Sequence, residues 1–254
     1  MKKDLFTLKG KTAIVTGGYR GIGKTVAAYL AGQGADIIIF DLLDGAATAK
    51  QIAEEYGVKA EAFVCDVTVP ASVRDCFDKA CDIFGVPDIL FNNAGIGPHK
   101  DALQVTPEEW KKVLDVNLNG IFYVATEFAR RAIAAGKKGS VINTGSMSGL
   151  IVNIPQKQAS YNASKAAVIH LTKTLAIEWA EYGIRVNCIS PGYIATELIA
   201  NVDPNMRKEW TDMIPFKRMG TPDELAGAVI YLASDASTYT SGCNIVIDGC
   251  YTVI

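Results

Sequence analysis

The sequence predicts an α/β protein with a doubly wound, Rossmann-like fold, in which helices cover both faces of a parallel sheet of about seven strands. Short runs rich in β-branched residues lack the polar alternation of a strand with one wet face, so both faces of these strands are expected to be buried. Helix-like segments separate the runs, as right-handed crossovers between parallel strands require. The first run ends in a glycine-rich turn that leads directly into a helix.

The predicted strands are spaced so that most pairs leave room for a helix between them. They are the runs 12–16, 36–41, 60–65, 88–92, 140–143, 185–189 and 244–247. Helical patterns lie at 22–30, before Gly32 and Gly34, and also at 110–135 and 197–218. Ligands of such sheets bind beyond the carboxyl ends of the strands, so the residues just after each strand are the candidates for chemistry.

Composition indicates one globular domain. The chain has 254 residues, of which 49% are hydrophobic and 20% charged, and no linker or shift in composition divides it. Within this domain we expect a dinucleotide-binding part at about 1–145 and a catalytic and substrate-binding part at about 146–254.

Charge, apolar runs and cysteine use exclude several classes of protein. A formal net charge of −2 and a pI near 5.8 argue against a nucleic-acid partner. The chain has no apolar run of about 18 residues and no secretory apolar segment, so we expect a cytoplasmic protein without a membrane partner. The six cysteines form no C-x-x-C pair and are expected to be reduced. His99 and His170 offer no metal-ligand spacing, so no metal is expected.

The glycine-rich turn reads TGGYRGIG at 16–23 and is the candidate phosphate site. Its spacing differs from G-x-G-x-x-G. Its glycines nevertheless allow positive φ, close backbone approach to a pyrophosphate and tight packing of the helix on the strand. The alternative is a tight turn that binds no ligand.

Asp41 ends the second predicted strand, 18 residues after Gly23. An acidic side chain near this spacing can accept hydrogen bonds from an adenosine ribose and would repel a 2′-phosphate, which favours NAD(H) over NADP(H). Arg20 argues the other way, because its guanidinium could pair with a 2′-phosphate. A carboxylate in this place could also simply cap the following turn. We give Asp41 more weight than Arg20. The repulsion between the Asp41 carboxylate and a 2′-phosphate would be hard to compensate, whereas NAD(H) can bind without an ion pair to Arg20.

Tyr161 and Lys165 are four residues apart in a helical stretch, so both side chains project from one face. Tyrosine ionises near pH 10, and a neighbouring ammonium would lower its pKa towards the range useful for acid-base catalysis. Of the ten tyrosines, only Tyr161 has a lysine four residues later. The alternative for this pair alone is an exposed helix face.

Further segments, in the right order, make the chain similar to the short-chain dehydrogenase/reductase family over its whole length. The turn at 16–23 resembles that family's T-G-x-x-x-G-x-G sequence, and NNAG at 92–95 resembles its fourth-strand signature. The family's catalytic tetrad is matched by Asn117, Ser146, Tyr161 and Lys165. The resemblance implies a cofactor site made of Gly17, Tyr19, Arg20, Gly21, Ile22, Gly23, Asp41, Asp66, Val67, Asn93, Ala94, Gly95, Tyr161, Lys165, Pro191, Gly192, Ile194 and Thr196.

The resemblance also implies roles in catalysis. Tyr161 would donate and accept the proton, Ser146 would bind the substrate oxygen, and a hydride would pass between the nicotinamide and the substrate carbon. Ser148 is a rival for the role of Ser146, but the S-x-x-G pattern at 146–149 favours Ser146.

For Asn117 the resemblance implies support of a water molecule that relays protons to Lys165. Asn117 lies inside the predicted helix 110–135. The alternative is a polar residue on the solvent side of that helix.

The segment LIVNIPQKQAS at 150–160 is the most informative about substrate. It brings Asn153, Gln156, Lys157 and Gln158 near the predicted mouth of the site, and such donors and acceptors suit a polyhydroxylated substrate. The candidate substrate contacts are Ser148, Asn153 and Gln158. The alternative is a solvated loop. Together with PGYIATEL and DGCYTVI, this region resembles the polyol dehydrogenases and ketose reductases of the sorbitol, mannitol and sorbose type.

The resemblance implies two further features. The segment 197–218 would be a mobile lid over the substrate, although a packed helical hairpin is the alternative. The chain would form a homotetramer through the long helices that contain Asn117 and Tyr161. Cys250 occupies a position where relatives often have a glycine.

The sequence is compatible with three functions. The first is an NAD-dependent polyol dehydrogenase. The second is a reductase of acyl-carrier-linked or other hydrophobic ketones, in which Arg130 and Arg131 could dock an acidic carrier. The third is a non-catalytic nucleotide sensor, against which the intact tetrad argues.

Overall fold

The computed structural model describes residues 4–200 and 202–254, and these form a seven-stranded sheet whose neighbouring strands are all parallel. The strand order is β3-β2-β1-β4-β5-β6-β7, so the direction of winding reverses between β1 and β4. The bounds are β1 Thr12–Thr16, β2 Asp36–Asp41, β3 Ala60–Val64, β4 Ile89–Asn92, β5 Gly139–Thr144, β6 Ile184–Pro191 and β7 Asn244–Ile247. The doubly wound, Rossmann-like prediction is confirmed, with small shifts at the strand ends.

Helices connect the strands and cover both faces of the sheet. They are α1 Gly21–Gly32, α2 Ala46–Tyr56, α3 Pro70–Phe84, α4 Pro107–Leu114, α5 Gly120–Ala134, α6 Ala159–Glu178, α7 Glu197–Ala200, α8 Pro204–Met213 and α9 Asp223–Ala233. Helices α1 and α9 pack on one face, and α3, α5 and α6 pack on the other.

Two apolar clusters form the core, one on each face of the sheet. Successive residues of β1 alternate between them, because Ala13 and Val15 face α1 and α9 whereas Ile14 faces α3 and α5. Burial of both faces explains why the strands read as unbroken β-branched runs.

The predicted helix 110–135 is wrong in its continuity. The helical segment begins earlier, at Pro107, where Thr106 and Glu109 form a capping box through hydrogen bonds of 3.3 and 2.9 Å. A π-helical turn, Asp115–Asn119, then interrupts it before α5. Such a turn inserts an extra residue and rotates the side chains that follow, which an apolar period of 3.6 residues does not reveal.

The segment predicted as helical at 197–218 contains the short helix α7 and the longer α8, and residue 201 between them lies outside the described residues. Asp203 begins α8, and its carboxylate accepts a hydrogen bond from the Asn205 amide at 2.7 Å. Trp210 of α8 is 1% exposed and packs with Tyr193 and Tyr251. The segment is therefore docked on the body of the molecule by its aromatic residue.

Two kinds of feature are absent from residues 4–200 and 202–254, the part of the chain that the structure describes. Among the described residues, no helix is long and apolar enough to cross a bilayer. Over the same residues, no group of three or more His, Cys, Asp or Glu side chains is arranged to hold a metal ion. The six cysteines are all free thiols.

Candidate active site

The carboxyl ends of β1 and β4 are joined where the winding of the sheet reverses. The Thr16 hydroxyl accepts hydrogen bonds from the amides of Asn93 at 2.9 Å and Ala94 at 3.0 Å. The side chain of Asn93 donates in return to the carbonyl oxygens of Thr16 and Gly17. The glycine turn and the NNAG loop therefore form one rigid edge at the place where doubly wound sheets bind ligands.

The glycine turn requires its glycines for packing and leaves the start of α1 open. A Cβ at Gly23 would lie 2.1 Å from the carbonyl oxygen of Gly17, and Gly17 and Gly21 have φ of +65° and +57°. Among the described residues, no side chain caps the amides that begin α1. A helix start of this kind presents unpaired N–H groups to an anion, so the turn fits a pyrophosphate.

Asp41 is fixed against the glycine turn by both of its carboxylate oxygens. One accepts a hydrogen bond from the Tyr19 amide at 3.0 Å, and the other accepts one from the Leu43 amide at 3.0 Å. Asp41 therefore does cap the turn that follows β2, as the alternative to ribose binding predicted. This capping does not exclude ligand binding, because each carboxylate oxygen can accept a second hydrogen bond. Arg20 is exposed.

Asp66 and Val67 follow β3 at the same edge of the sheet. The Asp66 carboxylate accepts hydrogen bonds from the Thr68 amide at 2.9 Å and the Thr68 hydroxyl at 2.7 Å. Val67 is buried against the start of α5, where a Cβ on Gly120 would lie 2.8 Å from its side chain. Both residues are therefore held in place at the carboxyl end of β3.

The segment after β6 turns back towards the glycine turn. Gly192 passes so close to Asp248 that a Cβ on it would lie 2.7 Å from the Asp248 backbone. Ile194 is buried and forms a β-bridge with Gly220. Thr196 lies next to Gly21: a Cβ added to Gly21 would be 3.9 Å from the Thr196 methyl group. The part of the predicted cofactor site that follows β6 therefore lies beside the glycine turn.

Asn117 is fully buried, so the solvent-side alternative for this residue is wrong. Its amide binds both backbone groups of Ile96, each at 2.8 Å, and donates to the Ser164 hydroxyl at 3.1 Å. Ser164 in turn donates to the carbonyl oxygen of Tyr161 at 2.7 Å. Asn117 thus joins the loop after β4 to the helix that carries the tyrosine, and the π-helical turn places it there.

The buried Lys165 and the partly exposed Tyr161 lie on one face of α6, as their spacing predicts. The Lys165 ammonium is 3% exposed, donates to the carbonyl oxygen of Thr144 at 2.7 Å and lies 5.6 Å from the centre of the Tyr161 ring. Burial lowers the pKa of Lys165 to about 8. Gly97 passes over the other side of the tyrosine, since a Cβ there would lie 3.3 Å from the ring.

The pKa of Tyr161 does not follow the expectation that Lys165 lowers it. Burial raises this pKa, and the opposing effect comes from a hydrogen bond with the Ser146 hydroxyl. The ammonium is directed at the Thr144 carbonyl and stands beside the ring. In this arrangement Ser146 is the group that favours the phenolate.

Ser146 and Ser148, the two candidates for the contact with the substrate oxygen, have different partners in the structure. Ser146 faces Tyr161, and its hydroxyl also accepts a hydrogen bond from the Ser148 amide at 3.1 Å. The hydroxyl of Ser148 accepts a hydrogen bond from Gln158 at 3.2 Å. Gly149 lets the serine turn approach α6, because a Cβ there would lie 2.6 Å from the Lys165 backbone. The S-x-x-G pattern therefore has a packing reason that brings Ser146 to Tyr161.

The amide side chains of the segment before α6 are buried, so the solvated-loop alternative is wrong for them. Asn153, Gln156 and Gln158 all point inwards, and Gln158 also donates to the Asn162 side chain at 2.8 Å. Lys157 was predicted near the mouth of the site but is exposed and pairs with Asp101. Alternate side chains of this extended segment thus face the interior and the solvent.

Comparison with known proteins identifies the family. A family model described as enoyl-(acyl carrier protein) reductase matches residues 17–252. A short-chain type dehydrogenase/reductase from Mycobacterium marinum is 43% identical and superposes with a TM-score of 0.93 over 99% of this chain and 98% of that one. The chain belongs to the short-chain dehydrogenase/reductase family. It is accordingly an oxidoreductase that acts on CH–OH groups.

Two relatives within the family carry specific names. The sorbose reductase of Candida albicans is 49% identical over 98% of this chain and 89% of that protein. The NADP-dependent mannitol dehydrogenase of Alternaria alternata is 44% identical over 99% of this chain and 96% of that protein. The predicted resemblance to the branch of polyol dehydrogenases and ketose reductases is confirmed.

Two aromatic residues of this short-chain dehydrogenase/reductase were missed from sequence. Tyr193 and Trp210 are buried, with ring centres 4.5 Å apart and planes 12° from parallel. Both contact the side chain of Gln156, which sequence analysis placed near the mouth but did not assign as a contact. The available signals were the position of Tyr193 directly after Pro191-Gly192 and a tryptophan in the segment expected to cover the substrate.

The backbone at Cys250 explains why a glycine is expected at this position. Its φ of +70° and ψ of +15° are left-handed, a conformation that glycine adopts without the steric cost of a Cβ. The carboxylate of Asp248 accepts a hydrogen bond from the Cys250 amide at 3.0 Å and helps to hold this conformation. The turn also leads into Tyr251, which packs on Tyr193.

Proposed function

We propose that this chain is an NAD(H)-dependent dehydrogenase of sugar alcohols, which interconverts a polyol and the corresponding ketose. The observation that carries the proposal is a buried wall of amide side chains, Asn153, Gln156 and Gln158, connected through Ser148 to Ser146. Buried amides favour a substrate that offers several hydroxyl groups and disfavour an apolar one. The names of the Candida and Alternaria relatives support the same class of substrate.

The residues present fit a nicotinamide dinucleotide. The open start of α1 and the glycine turn suit the pyrophosphate, with Gly17, Tyr19, Arg20, Gly21, Ile22 and Gly23 around it. Asp41 would hold the adenosine ribose of the cofactor, and Asp66 and Val67 would contact its adenine. The central part of the cofactor would lie against Asn93, Ala94 and Gly95. Pro191, Gly192, Ile194 and Thr196 would hold the nicotinamide, with Tyr161 and Lys165 on its ribose. When bound, this cofactor supplies the hydride acceptor or donor.

The protein's own residues supply the proton chemistry. In alcohol oxidation Tyr161 takes the hydroxyl proton of the substrate, and in ketone reduction it returns that proton. The Ser146 hydroxyl hydrogen-bonds the substrate oxygen and, by favouring the phenolate, assists Tyr161 in the oxidative direction. Lys165, with a pKa lowered to about 8, is suited to exchange protons near neutral pH. Asn117 holds the loop and helix that frame these groups.

The preference for NAD(H) rests on Asp41. Its carboxylate is fixed beside the glycine turn by two backbone amides, so it cannot swing away from a 2′-phosphate without losing both hydrogen bonds. A ribose with a free 2′-hydroxyl can donate to this carboxylate, whereas a phosphorylated ribose meets a like charge. The Alternaria relative is named NADP-dependent. The ratio of kcat/KM for NAD⁺ to kcat/KM for NADP⁺ decides between the two cofactors for this chain.

The proposal is tested with a panel of alditols and NAD⁺, followed by the absorbance of NADH. We expect turnover of at least one alditol, and turnover of the matching ketose with NADH. The control panel contains simple secondary alcohols and β-ketoacyl thioesters. Activity confined to the thioesters would overturn the polyol assignment.

The hydrophobic-ketone alternative receives less support from the surface. It depended on Arg130 and Arg131 as a docking site for an acidic carrier. Arg131 is mostly buried and already donates to Glu127 and Asp78, each at 2.7 Å. Only Arg130 is left largely exposed, and a single arginine does not form a basic patch.

The oligomeric state and the cellular location of the chain are also part of this proposal. We propose a homotetramer that buries exposed apolar side chains of the long helices, among them Phe122 of α5 and Ile177 of α6, which is 81% exposed. We also propose a cytoplasmic location. Sedimentation that gives a monomer would overturn the first proposal, and recovery of the protein with the membrane fraction would overturn the second.

A further inference from the structure

Helix α8 is tied to the segment before α6 by a buried chain of hydrogen bonds. The indole N–H of Trp210 donates to the side-chain oxygen of Gln156 at 2.8 Å. The side-chain nitrogen of Gln156 donates to the hydroxyl of Tyr193 at 2.8 Å. All three side chains are buried, so solvent offers no substitute for either bond.

The direction of these bonds is fixed by chemistry. An indole N–H can only donate, so the oxygen of the Gln156 amide must face Trp210 and its nitrogen must face Tyr193. The Tyr193 oxygen therefore accepts from Gln156, and it also lies 3.4 Å from the side-chain nitrogen of Asn153. One glutamine thus sets the orientation of groups on three separate segments of the chain.

The same helix is held at its carboxyl end. The Tyr251 hydroxyl donates to the sulfur of Met213, the last residue of α8, at 3.7 Å. The edge of the Tyr251 ring packs against Tyr193 with ring centres 5.5 Å apart. Trp210 and Met213 therefore both connect α8 to Tyr193, one through Gln156 and one through Tyr251.

The chain continues to the serine that faces Tyr161. The side-chain nitrogen of Gln158, which is 2.8 Å from the Asn162 side-chain oxygen, also lies 3.2 Å from the Ser148 hydroxyl and 3.4 Å from the Asn153 side-chain oxygen. Its two N–H groups can bond to two of these three acceptors at a time. The Ser148 amide donates to the hydroxyl of Ser146 at 3.1 Å. A continuous polar connection thus runs from α8 to the centre proposed for proton transfer.

We propose that Gln156 is a positioning residue for substrate specificity, which holds Trp210 of α8 and the Tyr193 hydroxyl in register with the amides of Asn153 and Gln158. With α8 docked in this way, the pocket presents amide groups at fixed positions to successive hydroxyls of the substrate. This inference rests on the proposed polyol function and names the residue that adapts the site to it. Each of these amides can form further hydrogen bonds beyond those inside the protein, and an apolar ketone cannot use them, which is the basis of the discrimination.

The test is a double-mutant cycle with Gln156→Leu, Trp210→Phe and both together, measured with the preferred alditol. Trp210→Phe retains an aromatic face for Tyr193 but removes the N–H that Gln156 accepts. In the wild-type background we expect it to lower kcat/KM about tenfold, mainly through KM. In the Gln156→Leu background we expect it to change kcat/KM less than about twofold, because the bond is already absent. Effects that simply multiply would overturn the proposal.

Specificity is the second readout. The ratio of kcat/KM for the alditol to kcat/KM for a simple secondary alcohol should fall about tenfold in Gln156→Leu. An unchanged ratio would show a merely structural role and overturn the proposal. Lys208→Ala, on the exposed side of the same helix, is the matched control and should leave the ratio unchanged.

A conservative variant keeps the test decisive if Gln156→Leu does not fold. Gln156→Glu retains an oxygen for Trp210 but, as a carboxylate, cannot donate to Tyr193. The Tyr193 hydroxyl would then have to donate to the carboxylate, so it would no longer be oriented as in the wild type. We expect Trp210→Phe to remain costly in this background and the specificity ratio to fall, and a ratio equal to that of the wild type would overturn the proposal. A chain that oxidises no alditol overturns the proposed function, whereas independent effects in a chain that does oxidise alditols overturn only this inference.

Discussion

The ammonium of Lys165 donates a hydrogen bond to the carbonyl oxygen of Thr144 at 2.7 Å, which ties α6 to the carboxyl end of β5. This bond uses one of the three N–H groups of the ammonium and leaves two for other partners. Because the side chain is 3% exposed, its charge lies in surroundings that disfavour it. The arrangement therefore has a consequence for stability that can be measured without substrate.

Burial lowers the pKa of Lys165 from 10.5 to about 8, so the unfolded chain binds more protons than the folded chain between these values. The free energy of unfolding should accordingly rise with pH across this window. Relative to Lys165→Met, we expect wild-type stability to gain about 2 kcal/mol between roughly pH 7.5 and 10. Urea denaturation at several pH values measures this, with Lys173→Met of the same helix as the exposed control. A constant difference would contradict the prediction.

Tyr161→Phe should remove the proton donor and one hydroxyl of the proposed cofactor site while leaving the other residues of that site in place. We expect turnover to fall by about 10²- to 10⁴-fold, the usual contribution of a positioned acid-base group. Affinity for NADH, measured by fluorescence titration, should change little. Tyr182→Phe, which removes the hydroxyl of an exposed tyrosine, is the control. Retained turnover in Tyr161→Phe would refute the assignment of the proton donor.

Local patterns predicted the strands, the glycine turn and the place of Asp41 beside it. The glycine turn, Asp41 and the strand runs depend on residues close together in sequence, and the structure places them as their periods and spacings indicate. The positions of Tyr161 and Lys165 on one face of α6 follow from the same local reasoning.

Features that depend on contacts between distant segments could not be predicted. The π-helical turn that turns Asn117 inwards has no signature in an apolar period, and its partner Ile96 is 21 residues away. The contact between Gln156 and Trp210 spans 54 residues and becomes visible only when α8 is docked. The pKa of Tyr161 depends on burial and on Ser146, which a lysine four residues along the helix does not reveal.

Asn117→Leu should destabilise the protein as well as the site. The substitution leaves both backbone groups of Ile96 and the Ser164 hydroxyl without the partner that Asn117 provides. Leaving a buried polar group unpaired costs about 1 to 3 kcal/mol. Because Ile96 is only partly buried and the Ser164 hydroxyl keeps its bond to Tyr161, we expect the three losses to lie near the lower limit, so that the free energy of unfolding falls by about 3 kcal/mol. Asn119→Ala, in the same π-helical turn, loses only a bond to the partly exposed Asp115 and is the matched control. Equal effects of the two substitutions, measured by urea denaturation, would contradict this account of Asn117.

Cys250→Gly should stabilise the protein, since the left-handed backbone at this position is strained for cysteine. Relief of that strain exceeds the entropy that glycine adds to the unfolded chain, and we expect a gain of about 0.5 to 1 kcal/mol. Calorimetry measures the change as a rise in Tm. Cys243→Gly is the control. Cys243 is not among the described residues with positive φ, so glycine at this position should destabilise the protein. A lower Tm for Cys250→Gly would contradict the prediction.

Asp41→Asn separates the charge of this residue from its role in the turn. The asparagine oxygen can still accept a hydrogen bond from Tyr19 or Leu43, but the negative charge that opposes a 2′-phosphate is gone. Hydrogen bonds to charged groups contribute about 1.5 to 3 kcal/mol, so the ratio of kcat/KM for NAD⁺ to that for NADP⁺ should fall roughly 10- to 100-fold. Asp44→Asn, an exposed acid three residues later whose carboxylate also accepts from a backbone amide, should leave the ratio unchanged. If the ratio is the same in Asp41→Asn and the wild type, Asp41 does not set the cofactor preference, and the exposed Arg20 becomes the residue to substitute next.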